Sequence, residues 1–431
     1  MVHINTLPAE LIQAVFEMVP LEPIVIGDPV CFIDSVPHRR HLSMPLTLSY
    51  VCGQWRSITL STGLLWSSIV VLYGDSTPRE ISILSWQLAL AGNWPLTVRI
   101  DMTDYTDHTI ESLSWKFILN YLPQCESFTF PNLPTAIYTK MFPLHGVFPR
   151  LRKVFVHLPP SFFPMAPRHS IPRAGIFEAP SSAPSLQVLH MDNPWMHMLD
   201  AAPLSGLTYI HFSLLAVGAY SSLYELMKQC TSLVYLHLPI PLSGNPMPYP
   251  PSPLVFPRLE CLSIQDCDLD QLVQSPSLQT LECSSYRGEI DSSHIPFIRL
   301  LRLTLPEDVE PSKFVWDPPA WTRDVETLTL GVTPTNLSIV LCARQESLGV
   351  SLTSEAAPQF LHLPCLKSLI LESRGFPLTP TQARDAVRAL TTILEARTSL
   401  HVRALGNLSY LGGNQLADLS ARLGGRVSKD D

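Results

Sequence analysis

The sequence predicts an α/β protein in two parts. A small all-α unit comes first, followed by a solenoid of stacked repeats with a parallel β-sheet on its concave side and helices and turns on its convex side. Three observations predict it. Two stretches before residue 72 carry apolar residues at three- and four-residue steps, the spacing of amphipathic helices. A phrase of the form Leu-x-x-Leu-x-Leu then recurs, mostly at steps of 19 to 26 residues. The 431 residues include 41 prolines, about twice the average share of ~5%. Proline fits neither a helix interior nor a central strand, so the chain must consist of many short elements.

The first helix is expected in "INTLPAELIQAVFEMVP" (4–20). Pro8 suits the first helical position, where its missing N–H costs nothing. Glu10 complements the helix dipole in the first turn. Leu11, Ile12, Val15, Phe16 and Val19 form the apolar stripe, and Pro20 and Pro23 stop the helix. A second helix is expected in "PLTLSYVCGQWRSITLSTGLLWSSIVV" (45–71), where Leu48, Val51, Cys52, Trp55 and Ile58 recur at helical spacing. Ser61-Thr62-Gly63 breaks it, and Leu64, Leu65 and Trp66 begin a third apolar segment. A unit of this size buries little area, so it is marginal alone and gains from docking on the rest of the chain or on a partner. Periodicity by itself fits a helical cap packed on the remainder of the chain.

These residues, "LPAELIQAVFEMV" and then "VCGQWRSITLSTGLLWSSI", resemble the F-box over roughly residues 4–72. That family shows Leu-Pro-x-Glu-Leu/Ile in its first helix and a Val-Cys-x-x-Trp-Arg core leading to a Trp-bearing third segment. The resemblance implies binding to the Skp-type adaptor of a cullin–RING ubiquitin ligase. Carried over by position, Leu7, Pro8, Glu10, Leu11, Ile12, Val15 and Phe16 contribute to the adaptor-binding surface or its support. Val51, Cys52, Trp55, Arg56 and Trp66 form the second half. The segment from Pro20 to Pro45 is longer than in compact F-boxes and carries "HRRH" (38–41), expected to be a solvated loop.

The repeat phrase appears as "LRKVFV" (151–156), "LQVLHM" (186–191), "LTYIHF" (207–212), "LVYLHL" (233–238) and "LECLSI" (259–264). It continues as "LQTLEC" (278–283), "LLRLTL" (300–305), "VETLTL" (325–330) and "LKSLIL" (366–371), with "CESFTF" (125–130) as an earlier copy. The fourth and sixth positions point the same way along a strand and must enter a shared interior. No copy buries its strand alone, so stability comes from neighbours. The stretches 109–122, 220–230 and 381–396 are amphipathic and read as connecting helices, whereas the proline-rich 158–185 and 239–257 read as loops. Segment 78–100 reads as a helix ended by Gly92 and then a strand, and the last residues as a fading helix and a polar tail. The array resembles the irregular leucine-rich repeats found in many F-box proteins. The expected division is a helical unit at 1–72 with its insert at 20–45, a linking helix at 73–94, the solenoid at 95–405 and a terminal helix and tail at 406–431.

Composition narrows the function. A net charge of −8 argues against nucleic acid as the main partner, because phosphate binding needs clustered Lys and Arg. Nine cysteines are scattered with no Cys-x-x-Cys pair, which disfavours a zinc site of common spacing. The odd cysteine count and a start without a basic region and long apolar run favour an intracellular, reducing compartment, cytoplasmic or nuclear. No run of about 18 apolar residues exists, so no membrane span is expected. No nucleophile elbow, zinc-binding helix motif, phosphate loop or dinucleotide fingerprint occurs. A non-catalytic protein without cofactor or metal is therefore expected. His190, Asp192 and His197 form the nearest approach to a metal set, but the third lies past a proline and no fourth ligand is implied.

What remains is surface. The third and fifth positions of successive phrases face the concave side, where Phe155, His190, Tyr209, His211, Tyr235 and His237 cluster in one half of the array. Tyrosine offers large contact area with a polar handle, and it also simply suits a half-exposed strand. The expected function is that of a substrate-recognition subunit of an F-box ubiquitin ligase, holding the adaptor with its helices and a protein substrate with its solenoid. The alternatives are a non-catalytic scaffold or ligand-sensing solenoid unrelated to ubiquitin, and an enzyme whose site is built from the proline-rich loops.

Overall fold

A computed structural model of the chain describes residues 7–18, 39–72, 78–101, 117–131, 142–157, 175–192, 199, 202–215, 220–238, 240–241, 252–265, 273–284, 298–304, 324–332, 365–373, 391, 399–405 and 427–430. They build an α/β structure whose strands run parallel, in two units, Met1–Phe212 and Ser213–Asp431.

The first unit opens with helices α1 (Ala9–Met18), α2 (Arg39–Val51) and α3 (Gly53–Ser61) and a 3-10 turn at Gly63–Trp66. The Pro8 carbonyl accepts from Leu11 and Ile12, so the proline sits at the helix start, as its chemistry requires. The single helix expected across Leu48–Ile58 is instead broken at Cys52, whose backbone is extended (φ −161, ψ 174). The Cys52 Sγ accepts the Trp55 N–H at 3.5 Å, which caps α3. Arg56 Nε donates to the Ser49 carbonyl at 3.0 Å and satisfies an orphan acceptor at the end of α2. The Arg56 side chain and the Cys52 thiol thus satisfy backbone groups that the break leaves without helical partners. Arg39, Arg40 and His41 of the basic cluster belong to the helical backbone of α2 rather than to a loop.

Strand β1 (Ser68–Leu72) comes immediately after, so the sheet begins within the segment expected to complete the helical unit. Helix α4 (Pro78–Ala91) ends at Gly92, whose φ of +59 makes the left-handed turn that glycine tolerates best. Then come β2 (Leu96–Asp101), β3 (Cys125–Phe130), β4 (Lys153–His157), β5 (Val188–Asp192) and β6 (Tyr209–Phe212), each paired in parallel with the one before. One register line runs Ile69, Val98, Phe128, Val154, Leu189, Ile210, and every member is at most 1% exposed. This line is the fourth position of the repeat phrase, and its burial is what each strand contributes to the shared interior.

Gly63 shows how tightly the turn packs. A Cβ there would stand 2.7 Å from the Ala91 carbonyl oxygen and 2.4 Å from Trp94 Cδ1. Gly63→Ala is expected to destabilise the first unit by about 1–3 kcal/mol through overpacking. Urea denaturation measures it, and an unchanged midpoint would mean that both the Trp94 side chain and the Ala91 backbone move clear at no cost.

The second unit repeats the pattern. Its main strands are β8 (Tyr235–His237), β11 (Cys261–Gln265), β13 (Thr280–Ser284), β14 (Leu300–Thr304), β15 (Thr327–Val332), β16 (Ser368–Ser373), β17 (His401–Leu405) and β18 (Val427–Asp430), in that order and parallel. Two short outer pairs join β7 (Leu214–Leu215) to β9 (Ile240–Pro241) and β10 (Leu254–Val255) to β12 (Val273–Gln274). Helix α5 (Tyr220–Met227) lies in the amphipathic stretch 220–230. The buried line is Leu236, Leu262, Leu281, Leu301, Leu328, Leu369, Val402.

Three further expectations are corrected. The copy at 300–305 is out of register by two: Leu301 and Leu303 lie opposite Leu281 and Cys283, so the phrase runs from Ile298 to Leu303 and Arg302 takes the fifth position. "IRLLRLTL" satisfies the pattern in either register; burial of Ile298 selects one. Val427–Asp430, expected in the polar tail, forms β18 on β17. Part of the expected loop 158–185 is core: Ile176 and Phe177 are buried, and the Ile176 carbonyl accepts from Leu144 at 2.9 Å. Of the expected helix 109–122 only its end is described, a helical turn at 117–119 and a 3-10 turn at Leu122–Gln124. Helix 381–396, apart from Thr391, the helical part of the expected tail and the insert 20–38 lie outside the described residues. No helix among the described residues is long and apolar enough to cross a membrane.

Candidate functional site

Two surfaces answer to the residues the sequence singles out. The first is the N-terminal helical cluster. On α1 the expected apolar stripe divides in two. Ile12 and Phe16 are 2% exposed and face inward, where the Phe16 ring meets Trp55 edge-on at 5.0 Å. Leu11 and Val15 are 53% and 49% exposed. Met18 continues their row one turn on, since positions 11, 15 and 18 share a helix face. At the end of α2, Tyr50 and Val51 are exposed too. Leu7, Cys52 and Trp55 are half-buried, and Pro8, Glu10 and Arg56 are exposed. Trp66 is the exception. It is fully buried, donates Nε1–H to the Thr59 carbonyl at 2.8 Å and meets Trp86 edge-on at 4.9 Å. Its place is beneath the cluster, as support. Met18 and Tyr50 were not singled out from sequence; the i, i+7 relation of Met18 to Leu11 was the available signal.

The second is the strand face opposite the leucines, which each unit carries for itself. In the first unit, Phe155, His190 and His211 are register neighbours on β4, β5 and β6. The His190 and His211 rings stack at 4.1 Å and 15°. His157 completes the group, 5.0 Å from the His190 ring, with Phe155 at 5.9 Å. The four rings shield one another, so Phe155 is 2% and His190 8% exposed, while Tyr209 and His211 are half-buried. Two of the expected contact residues are thus mainly internal. His157 was missed although it stands two residues past Phe155 and so shares its face. In the second unit, Tyr235 and His237 are half-buried on β8, and His237 Nδ1 lies 2.8 Å from Ser263 Oγ. Further along that face the register pair Glu282 and Arg302 approach to 3.7 Å. His197 of the possible metal set lies outside the described residues, and among those described no group of three or more His, Cys, Asp or Glu is placed to hold a metal ion.

The thiols tell how closed these interiors are. Burial pushes Cys230 up from the ordinary 9.0 to about 12. Burial does the same to Cys261, with the Glu282 carboxylate adding to it. Cys125 is pushed higher still by burial alone. A nucleophilic cysteine needs the opposite shift. At pH 8, alkylation of Cys230 is expected to run about a thousand-fold slower in the folded protein than in the unfolded chain, three pKa units of thiolate fraction. Mass spectrometry after timed iodoacetamide treatment reads it, with the exposed Cys365 as internal standard. Comparable rates would show the α5 end to be open. As pH rises past 9 the unfolded thiol ionises first, so the folded state loses stability there.

No family model, curated protein or solved structure matches the chain.

Proposed function

We propose that the chain is a substrate-recognition subunit of an F-box ubiquitin ligase, whose N-terminal helices hold a Skp-type adaptor and whose repeat array holds a protein substrate. The observation that carries this reading is the row Leu11, Val15, Met18 on α1, left in solvent by a helix that has an inward face already filled by Ile12 and Phe16. Apolar side chains of this size in a row mark a docking surface rather than an unfinished core. They stand in the segment that resembles the F-box, together with the Val-Cys-x-x-Trp-Arg turn between α2 and α3. The parallel array supports the second half of the reading. The face opposite the leucines offers Tyr209 and His211 in the first unit and Tyr235 and His237 in the second, all at half exposure, amphipathic groups suited to a protein partner. Phe155 and His190 act there from behind, by fixing the His211 ring. No bond is made or broken by this chain in such a role. It raises the effective concentration of substrate lysines near the ligase.

Co-purification of the intact chain with a Skp-type adaptor tests the reading. Stable capture supports it. A well-folded chain that captures no adaptor is instead a scaffold whose helices cap the array.

A further inference from the structure

The first strand of the first unit has one strand partner among the described residues, β2. Alternate residues of a strand turn their backbone groups to opposite sides. The Ser67 carbonyl accepts the Thr97 N–H at 3.0 Å, so Ser67, Ile69 and Val71 address β2. Within β1 the backbone groups of Ser68 and Val70 therefore point to the other side, where a further strand would pair. Gln87 of α4 stands there. Its Nε2 donates to the Ser68 carbonyl at 2.7 Å and to the Trp66 carbonyl at 3.2 Å, and the residue is 6% exposed. One amide hydrogen is spent on the Ser68 carbonyl, the first that an added strand would use, and the other anchors the side chain to the carbonyl at the end of the 3-10 turn.

We propose that Gln87 is an edge lock: its side-chain amide occupies the strand-addition site of β1 and keeps a second copy of this chain from extending the sheet. A second copy is the natural occupant because its β18 carries the complementary edge. That strand runs parallel to β17, its one described strand partner. Joining β18 of one copy to β1 of the next continues the ladder without changing its direction. Such a contact is head-to-tail, so each copy added leaves an edge for another. Unprotected edges are the usual origin of this hazard, and native sheets block them with a covering element. The inference is independent of the ligase reading.

The test compares the intact wild-type chain with Gln87→Leu and with Gln87→Leu/Val70→Pro, by light scattering after chromatography, with circular dichroism reporting the fold. Gln87→Leu keeps the bulk and removes both donors. The expected result is a folded protein whose weight-average mass is at least doubled over the wild type. Val70→Pro removes an outward N–H at an edge position that tolerates proline, and it is expected to restore the wild-type mass. A folded Gln87→Leu protein of wild-type mass overturns the proposal, as does an assembly that Val70→Pro leaves intact. Should Gln87→Leu not fold, Gln87→Asn decides: one methylene shorter, it cannot reach both carbonyls, and wild-type mass for it overturns the proposal equally.

Discussion

Exchanging Leu11 for Glu and Val15 for Lys together is expected to weaken capture of the Skp-type adaptor at least about 100-fold and to leave the melting curve of the free chain unchanged. Both side chains are half in solvent, 53% and 49% exposed, so the fold has little to lose. The substitutions place a Glu four residues before a Lys on one helix face, a pair that supports the helix by a few tenths of a kcal/mol. Binding has much to lose. Burying a Leu or Val is worth about 1.5–3 kcal/mol. Each 1.4 kcal/mol is tenfold in affinity, and charges forced under an apolar partner add to the loss. Pull-down with titrated adaptor measures the change. Full capture by the folded double variant would remove α1 from the interface and, with it, the observation on which the ligase reading stands.

The second large effect is on the fold. Trp66→Ala is expected to cost about 3–5 kcal/mol, the range for truncating a buried large aromatic. The indole is 0% exposed, holds the Thr59 carbonyl at 2.8 Å and packs edge-on against Trp86. Its loss leaves a cavity under the helical cluster and takes a donor from a buried carbonyl. At about 2–4 °C per kcal/mol for a unit of this size, melting of the first unit falls by roughly 10 °C. Adaptor capture should then track the folded fraction, unlike that of the Leu11/Val15 variant. A loss below about 1 kcal/mol would mean that the cluster collapses into the space. The two variants separate contact from support, roles that the family resemblance assigns together.

Much of the sheet was legible from spacing. Leu236 and Leu238, Leu262 and Ile264, Leu281 and Cys283 are buried where period-two alternation puts them. A strand with one apolar face has one register that buries it, and neighbouring copies reinforce the choice. The copy near residue 300 shows the limit. "IRLLRLTL" has leucines at Leu301, Leu303 and Leu305, so shifting by two keeps the pattern, and pairing with Leu281 and Cys283 decides. The four residues of β18 carry no alternating apolar pattern at all; their pairing with β17 makes them a strand.

By itself the sequence determined that the chain is a parallel α/β array fronted by helices, because hydrophobic period and proline punctuation are local properties of the chain. The division of labour within each element belonged to the tertiary structure. Leu11 and Ile12 are adjacent and equally apolar, yet one is in solvent and the other in the core, depending on which face Trp55 covers. His190 and His211 hold the same place in their phrases, yet His190 lies enclosed between Phe155, His157 and His211 while His211 stays half open. Gln87 carries no sequence signal. It matters because α4 brings its amide to two carbonyls 19 and 21 residues away. Burial and hydrogen-bond partnership are set by what arrives from elsewhere in the chain, and a pattern read along one strand or helix does not contain that neighbour.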